Sequence, residues 1–189
     1  MAISNGETAR ALYGAYRFAL LDPAGLSYFR NTRGAFWRSF KAALIIAPFY
    51  AGLLVMRYKM GEVSASTIRF IYVETTSYII SWVAFPVIMD FLITAIDRRE
   101  KFIRFIVAYN WAAVLQNLVY LPIAMLSVNG VFSPVGAGFL GLTILILFMI
   151  YIWFITKTAL DIPGKLAASI VAIDFALSLL INGYAEKIL

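Results

Sequence analysis

Five apolar runs, at about residues 35–57, 68–96, 102–126, 132–156 and 162–184, leave this chain few ways to fold. A helix rises 1.5 Å per residue, so about twenty apolar residues cross roughly 30 Å of hydrocarbon. Each run is long enough. Of the 189 residues 62% are hydrophobic and 14% charged, whereas soluble domains run near ~45–50% and ~25%. The expected fold is all-α: a polytopic transmembrane helical bundle of five spans.

The junctions are short. Glu62–Val63–Ser64–Ala65–Ser66–Thr67 follows the first run and Asp97–Arg98–Arg99–Glu100–Lys101 the second. Asn129–Gly130 is a turn dipeptide, and Ser133–Pro134 after it reads as N-cap and first helical residue. Asp161 with Pro163 reads as a similar start for the last helix. Connections this short predict antiparallel packing between consecutive helices. Pro48, Pro86 and Pro122 lie inside three runs and are expected to bend them.

Lys and Arg divide unequally between the two ends. Six lie in the segment through Lys41, four at 98–104 and two at Lys157 and Lys165, twelve in all. Arg57, Lys59, Arg69 and Lys187 make four at the other end. The positive-inside rule then puts the N-terminus in the cytoplasm and the C-terminus outside. The net charge of +6 is accounted for by topology and anionic lipid, and no nucleic-acid partner is expected. A multi-pass location in a bacterial cytoplasmic (inner) membrane follows as the expectation.

Residues 1–34 form a lead-in ahead of the five-helix domain at 35–189. Leu12, Tyr13, Tyr16 and Leu20 recur at helical spacing beside Arg10 and Arg17, the pattern of an amphipathic interfacial helix. Such a segment either packs under the bundle or docks a partner. It lacks the compact apolar region and small-residue cleavage site of a signal peptide.

Asp174 stands within about two residues, some 2–3 Å, of the midpoint of the last run. An aspartate at that depth costs about 2.5–3.5 kcal/mol and must be neutral, partnered or hydrated. No Lys or Arg lies at the same depth, but Gln116 and Asn117 do, with Asn110 about one turn away. One reading has Asp174 hydrogen-bonded to Asn117 or Gln116, fastening the fifth span to the third at roughly 0.6–2 kcal/mol. The other has it exchange protons on a transport path, with Glu74 and Asp90 as relays. Those two lie toward the ends of the second span. Asp90 shares a stripe with Thr94, Asp97 and Arg98, and an ion-pair cluster is its alternative. Gly136–Ala137–Gly138–Phe139–Leu140–Gly141 matches a dinucleotide-binding glycine pattern but follows no strand. Ala137 and Gly141, four apart, are read instead as a close helix contact.

Neither His nor Cys is present. That removes the ordinary ligands of zinc, copper, haem and iron–sulfur centres, so no cofactor and no metal site is expected. Catalytic signatures are missing too, among them Ser–His pairs, the Gly-x-Ser-x-Gly elbow and the P-loop.

The lead-in, the basic stretch Arg33–Gly34–Ala35–Phe36–Trp37–Arg38–Ser39–Phe40 and five closely spaced runs resemble bacterial members of the Yip1-like group of five-span membrane proteins. The resemblance implies a membrane bundle and carries no site residue. The Asp-Leu-Tyr-Gly-Pro signature of the eukaryotic members is missing, so their trafficking roles do not transfer. The expected function is a non-catalytic accessory or assembly subunit, packed against another membrane protein or its own copies. The alternative is a proton-linked small transporter or channel using Asp174.

Overall fold

The structure, a computed structural model, describes residues 5–61 and 64–189; residues 1–4 of the lead-in, and Glu62 and Val63 of the first junction, lie outside the described residues. All regular elements among those described are helical: α1 (Asn5–Ala19), a 3₁₀ turn (Pro23–Tyr28), α2 (Arg33–Ser39), α3 (Lys41–Lys59), α4 (Thr67–Ala95), a 3₁₀ turn (Arg99–Lys101), α5 (Phe102–Val128), α6 (Pro134–Leu160) and α7 (Gly164–Ile188). Five segments are long and apolar enough to cross a membrane, and they fall on the five runs of the sequence. The first is interrupted, since α2 and α3 meet at Phe40. Pro48, Pro86 and Pro122 sit inside α3, α4 and α5, which continue through them.

One device ends four of the helices. Leu21, Asp97, Gly130 and Asp161 each adopt a left-handed φ of 53° to 71°. The N–H of the next residue then reaches back to a carbonyl five positions earlier, as in Asp22 to Arg17 and Ile162 to Lys157. Gly130 is the residue type expected at such a position, whereas aspartate is tolerated there. Asp161 therefore closes α6 and does not open α7, which begins after Pro163 without a side-chain cap. The likeness of Thr94–Ala95–Ile96–Asp97 to Thr158–Ala159–Leu160–Asp161 has the same origin, because both stretches terminate a helix at the N-terminal end of the bundle. There Lys101 Nζ donates to the Asp161 carboxylate at 2.8 Å. That hydrogen bond and the ammonium charge hold the Asp161 carboxyl below its ordinary value.

α5 is the hub. Phe105, Ile106, Val107, Ala108, Asn110, Trp111 and Ala112 are buried on it, and α1, α2, α3 and α6 pack around it. α6 and α7 pack as consecutive neighbours, fastened where Trp153 Nε1 donates to the Gly164 carbonyl at 2.8 Å. The expectation that short junctions make close pairs fails for α3 and α4. Their backbones do not pack along their length, and the main partner of α4 is α7. Large rings keep α3 and α4 apart: Tyr50 stacks on Tyr78 with centroids 5.2 Å apart, and Tyr58 lies against Phe70 at 5.3 Å.

The lead-in shares the hydrophobic core of the bundle, with Leu12 of the expected stripe packed against that core and the rest of the stripe turned outward. Ala11, Ala15 and Phe18 are buried, while Tyr13, Tyr16 and Leu20 are exposed. Small residues win because they let α1 approach the ends of α5 and α6. Tyr151 of α6 donates to the Ala15 carbonyl at 2.8 Å, and Phe154 meets Phe18 edge-on at 5.9 Å. The first 3₁₀ turn folds back on α1 through two glycines. A Cβ at Gly25 would stand 2.8 Å from the Gly14 carbonyl oxygen, and one at Gly14 would stand 2.7 Å from Tyr28 Cβ. Gly25→Val is therefore expected to destabilise the protein by about 1–3 kcal/mol, the range for overpacking a filled contact. Thermal unfolding in detergent checks this; an unchanged midpoint would mean that the turn shifts freely.

Candidate functional site: a polar cleft between α3, α4, α5 and α7

Asp174 of α7 does face α5, but its partner is a tyrosine. The Tyr109 hydroxyl donates to the two carboxylate oxygens, 2.9 and 3.0 Å away. The expected amide partners go elsewhere. Asn117 Nδ2 donates to the Ala113 carbonyl of its own helix at 2.9 Å, and Gln116 has no side-chain hydrogen bond among the described residues. Asn110 lies on another side of α5, fully buried, where its Nδ2 donates to Ser39 Oγ at 2.9 Å. Ser39 Oγ in turn donates to the Phe36 carbonyl at 2.6 Å, and Asn110 Oδ1 is left without a partner. The group expected to be one cluster is thus two. Asp174 and Asn117 line a common cavity, while Asn110 fastens α5 to the end of α2. Depth along a helix brought these residues to notice, and direction around the helix separates them.

Glu74 and Asp90 separate in the same way. Glu74 is buried on α4, accepts a hydrogen bond from the Tyr50 hydroxyl at 2.9 Å and lies 3.5 Å from Arg57 Nη1. Asp90 is exposed at the other end of α4, 3.7 Å from Arg99 Nη2, and lines no part of the cleft. Its ion-pair partner is Arg99 and not the expected Arg98, which donates to the Asp97 and Asp161 carbonyls, and Asp90 stands apart from Glu74 and Asp174.

The cleft consists of two cavities. The inner one, about 310 Å³, is lined by Asp174, Tyr109, Asn117, Ser77, Ser81 and Ser178 among others. The outer one, about 620 Å³, is lined by Arg57, Glu74, Tyr120, Ser127 and Glu186 among others. Tyr50 and Asn182 line both, so the two adjoin. From Asp174 to Glu186 the cleft follows α7 for about 18 Å at 1.5 Å per residue. It runs toward the end of the bundle away from α1. Behind the inner cavity, buried Phe85 and Phe105 close on Tyr109 at centroid distances of 4.5 and 6.2 Å.

Each wall contributes a polar stripe at helical spacing. On α7 it is Asp174, Ser178, Asn182 and Glu186, each four residues from the next, and all four line the cleft. On α4 it is Glu74, Ser77, Tyr78 and Ser81, and on α3 Tyr50 and Arg57. Residues four apart lie one above the other on one helix face. The α7 stripe was visible in the sequence and was missed, because Ser and Asn are common in apolar helices and only Asp174 stood out. Tyr109 was missed because a tyrosine among apolar residues reads as packing. Chemically, the cleft offers carboxylates that can take up a proton and hydroxyls that can hydrogen-bond beside them.

The close helix contact expected at Ala137 and Gly141 is not seen at Gly141 among the described residues. Both residues border the outer cavity, and a Cβ added at Gly141 would meet no atom within 4 Å. α6 turns this part of its surface outward because its packed residues lie further along, from Ile144 to Leu160.

Comparison with protein-family models, curated proteins and solved structures finds no match.

Proposed function

We propose that this chain is a multi-pass protein of a bacterial cytoplasmic membrane, N-terminus inside, that works as a proton-linked small transporter or channel. The supporting observation is the convergence of polar stripes from several helices on one cleft that ends at Asp174. An aspartate that only fastens two helices needs one partner. It has no use for a file of Ser178, Asn182 and Glu186 leading from it to the end of its helix. Polar groups inside apolar helices are costly, and they gather where water or an ion passes. In this reading protons enter from outside through the Glu74 end of the cleft, and Phe85 and Phe105 separate Asp174 from the cytoplasm. The test is proton flux into proteoliposomes, wild type against Asp174→Asn.

The accessory role expected from sequence is the second reading, and one observation favours it: the uncovered surface of α6 at Gly138 and Gly141. Small residues on a lipid-facing helix let another helix approach. Gly141→Ala separates the two readings. In the isolated chain it meets no atom within 4 Å and is expected to be neutral, or to stabilise by up to about 1 kcal/mol through helix propensity. Native mass spectrometry of protein extracted from its own membrane checks for the partner. Associated polypeptides lost on Gly141→Ala would establish the accessory role, and a lone chain unaffected by the change would remove it. The Yip1-like resemblance belongs to this proposal as a five-span layout only.

A further inference from the structure

A further cavity, of about 990 Å³, lies at the opposite end of the molecule between α1, α2 and the first turns of α5. Four cations border it, Arg10, Arg30, Arg38 and Lys41, against one carboxylate, Glu7. Glu7 is taken by Arg38 at 2.9 Å. Arg10 reaches only the Ser27 carbonyl, at 3.4 Å, and neither Arg30 nor Lys41 has a side-chain partner among the described residues. Three positive charges thus face one cavity with no counter-charge from the described residues. Its remaining wall is apolar and aromatic, with Trp111 buried and Trp37 71% exposed at the rim.

We infer that this cavity binds the phosphate headgroup of an anionic phospholipid. The shared chemistry, a phosphate among three cations, would also suit a soluble phosphate ester, but two features select the lipid. Lys41 opens α3, the first long apolar helix, so the cations sit at the level where such a helix enters hydrocarbon. The exposed Trp37 ring beside them is the amphipathic group that occupies the headgroup level. An acyl chain can follow the apolar side of the same cavity along Val107 and Trp111. The inference rests on membrane insertion and is independent of the cleft and of proton transport.

The test is native mass spectrometry of the full chain, equilibrated with equal amounts of phosphatidylglycerol and phosphatidylcholine. Wild type is expected to retain phosphatidylglycerol preferentially. One Lys or Arg near an anionic surface contributes about fivefold to binding. The triple change Arg10→Gln/Arg30→Gln/Lys41→Gln is therefore expected to reduce the preference by at least about tenfold. Arg98→Gln/Lys157→Gln/Lys165→Gln removes equal charge from the same end of the bundle and is expected to retain the preference. Should the first triple variant fail to fold, judged by circular dichroism, Lys41→Gln alone is expected to lower the preference by about fivefold. Any of three results overturns the inference: no preference in wild type, an equal loss in the control variant, or displacement of the lipid by millimolar glycerol 3-phosphate. The last would assign the cavity to a soluble phosphate ester.

Discussion

Asp174→Asn is expected to reduce proton flux in proteoliposomes to the level of empty vesicles while leaving the bundle folded. The two effects separate because the substitution changes only one of the two things the carboxyl does. Its side-chain oxygen still accepts the hydrogen bond from the Tyr109 hydroxyl, now made at 2.9 and 3.0 Å. A hydrogen bond between helices in a bilayer is worth on average about 0.6 kcal/mol, so even its partial loss leaves stability nearly unchanged. Titration is different, since an amide takes up no proton near neutral pH and no other carboxyl among the described residues lines the inner cavity. Flux is read with a pH-sensitive dye inside the vesicles under an imposed gradient, and stability by thermal unfolding of the same preparation. Wild-type flux in the Asn variant would reduce Asp174 to a fastener between α5 and α7. The transport reading would then give way to the accessory one.

The sequence was most legible where a bilayer imposes length. Twenty apolar residues can do little else, and the five long helices fall where the runs predicted them. It was less legible at the helix ends. Asp161 carries the composition of an N-cap and the backbone of a C-terminal left-handed residue, and no local pattern distinguishes the two. Least legible was the direction of the polar groups on α5. Four helices surround that hub, so no polar face marks which side is covered by what. Asn110 and Asn117 differ in partner and cavity, yet in the sequence they are two amides at neighbouring depths. Pairing across the first junction was misread for a steric reason. The junction is short enough for α3 and α4 to pack, but Tyr50, Tyr78, Tyr58 and Phe70 occupy the space between them. Two of those rings, Tyr50 and Tyr78, line the cleft.

That separation makes Glu74 the second residue whose loss should be felt. With little backbone packing between α3 and α4, side chains must hold them: the Tyr50–Tyr78 stack, Tyr78 donating to the Ala43 carbonyl at 2.7 Å, and Glu74 accepting from Tyr50 beside Arg57. Glu74→Leu is expected to destabilise the protein by about 1.5–3 kcal/mol, the range for losing a hydrogen bond to a charged group, because the half-buried Tyr50 hydroxyl loses its carboxylate acceptor. Glu74→Gln keeps an acceptor for the Tyr50 hydroxyl and removes only the charge. The Arg57 side chain is 28% exposed, so solvent screens part of the ion pair and the Gln variant should lose less than about 1 kcal/mol. Thermal unfolding ranks the three proteins, and hydrogen exchange places the change, faster along α3 in the Leu variant and unaltered along α6. Equal losses for Gln and Leu would make the charge, and not the hydrogen bond, the tie. No loss in either would leave α3 held by its packing on α5 alone, in which case the mouth of the cleft is free to open and close without unfolding the bundle.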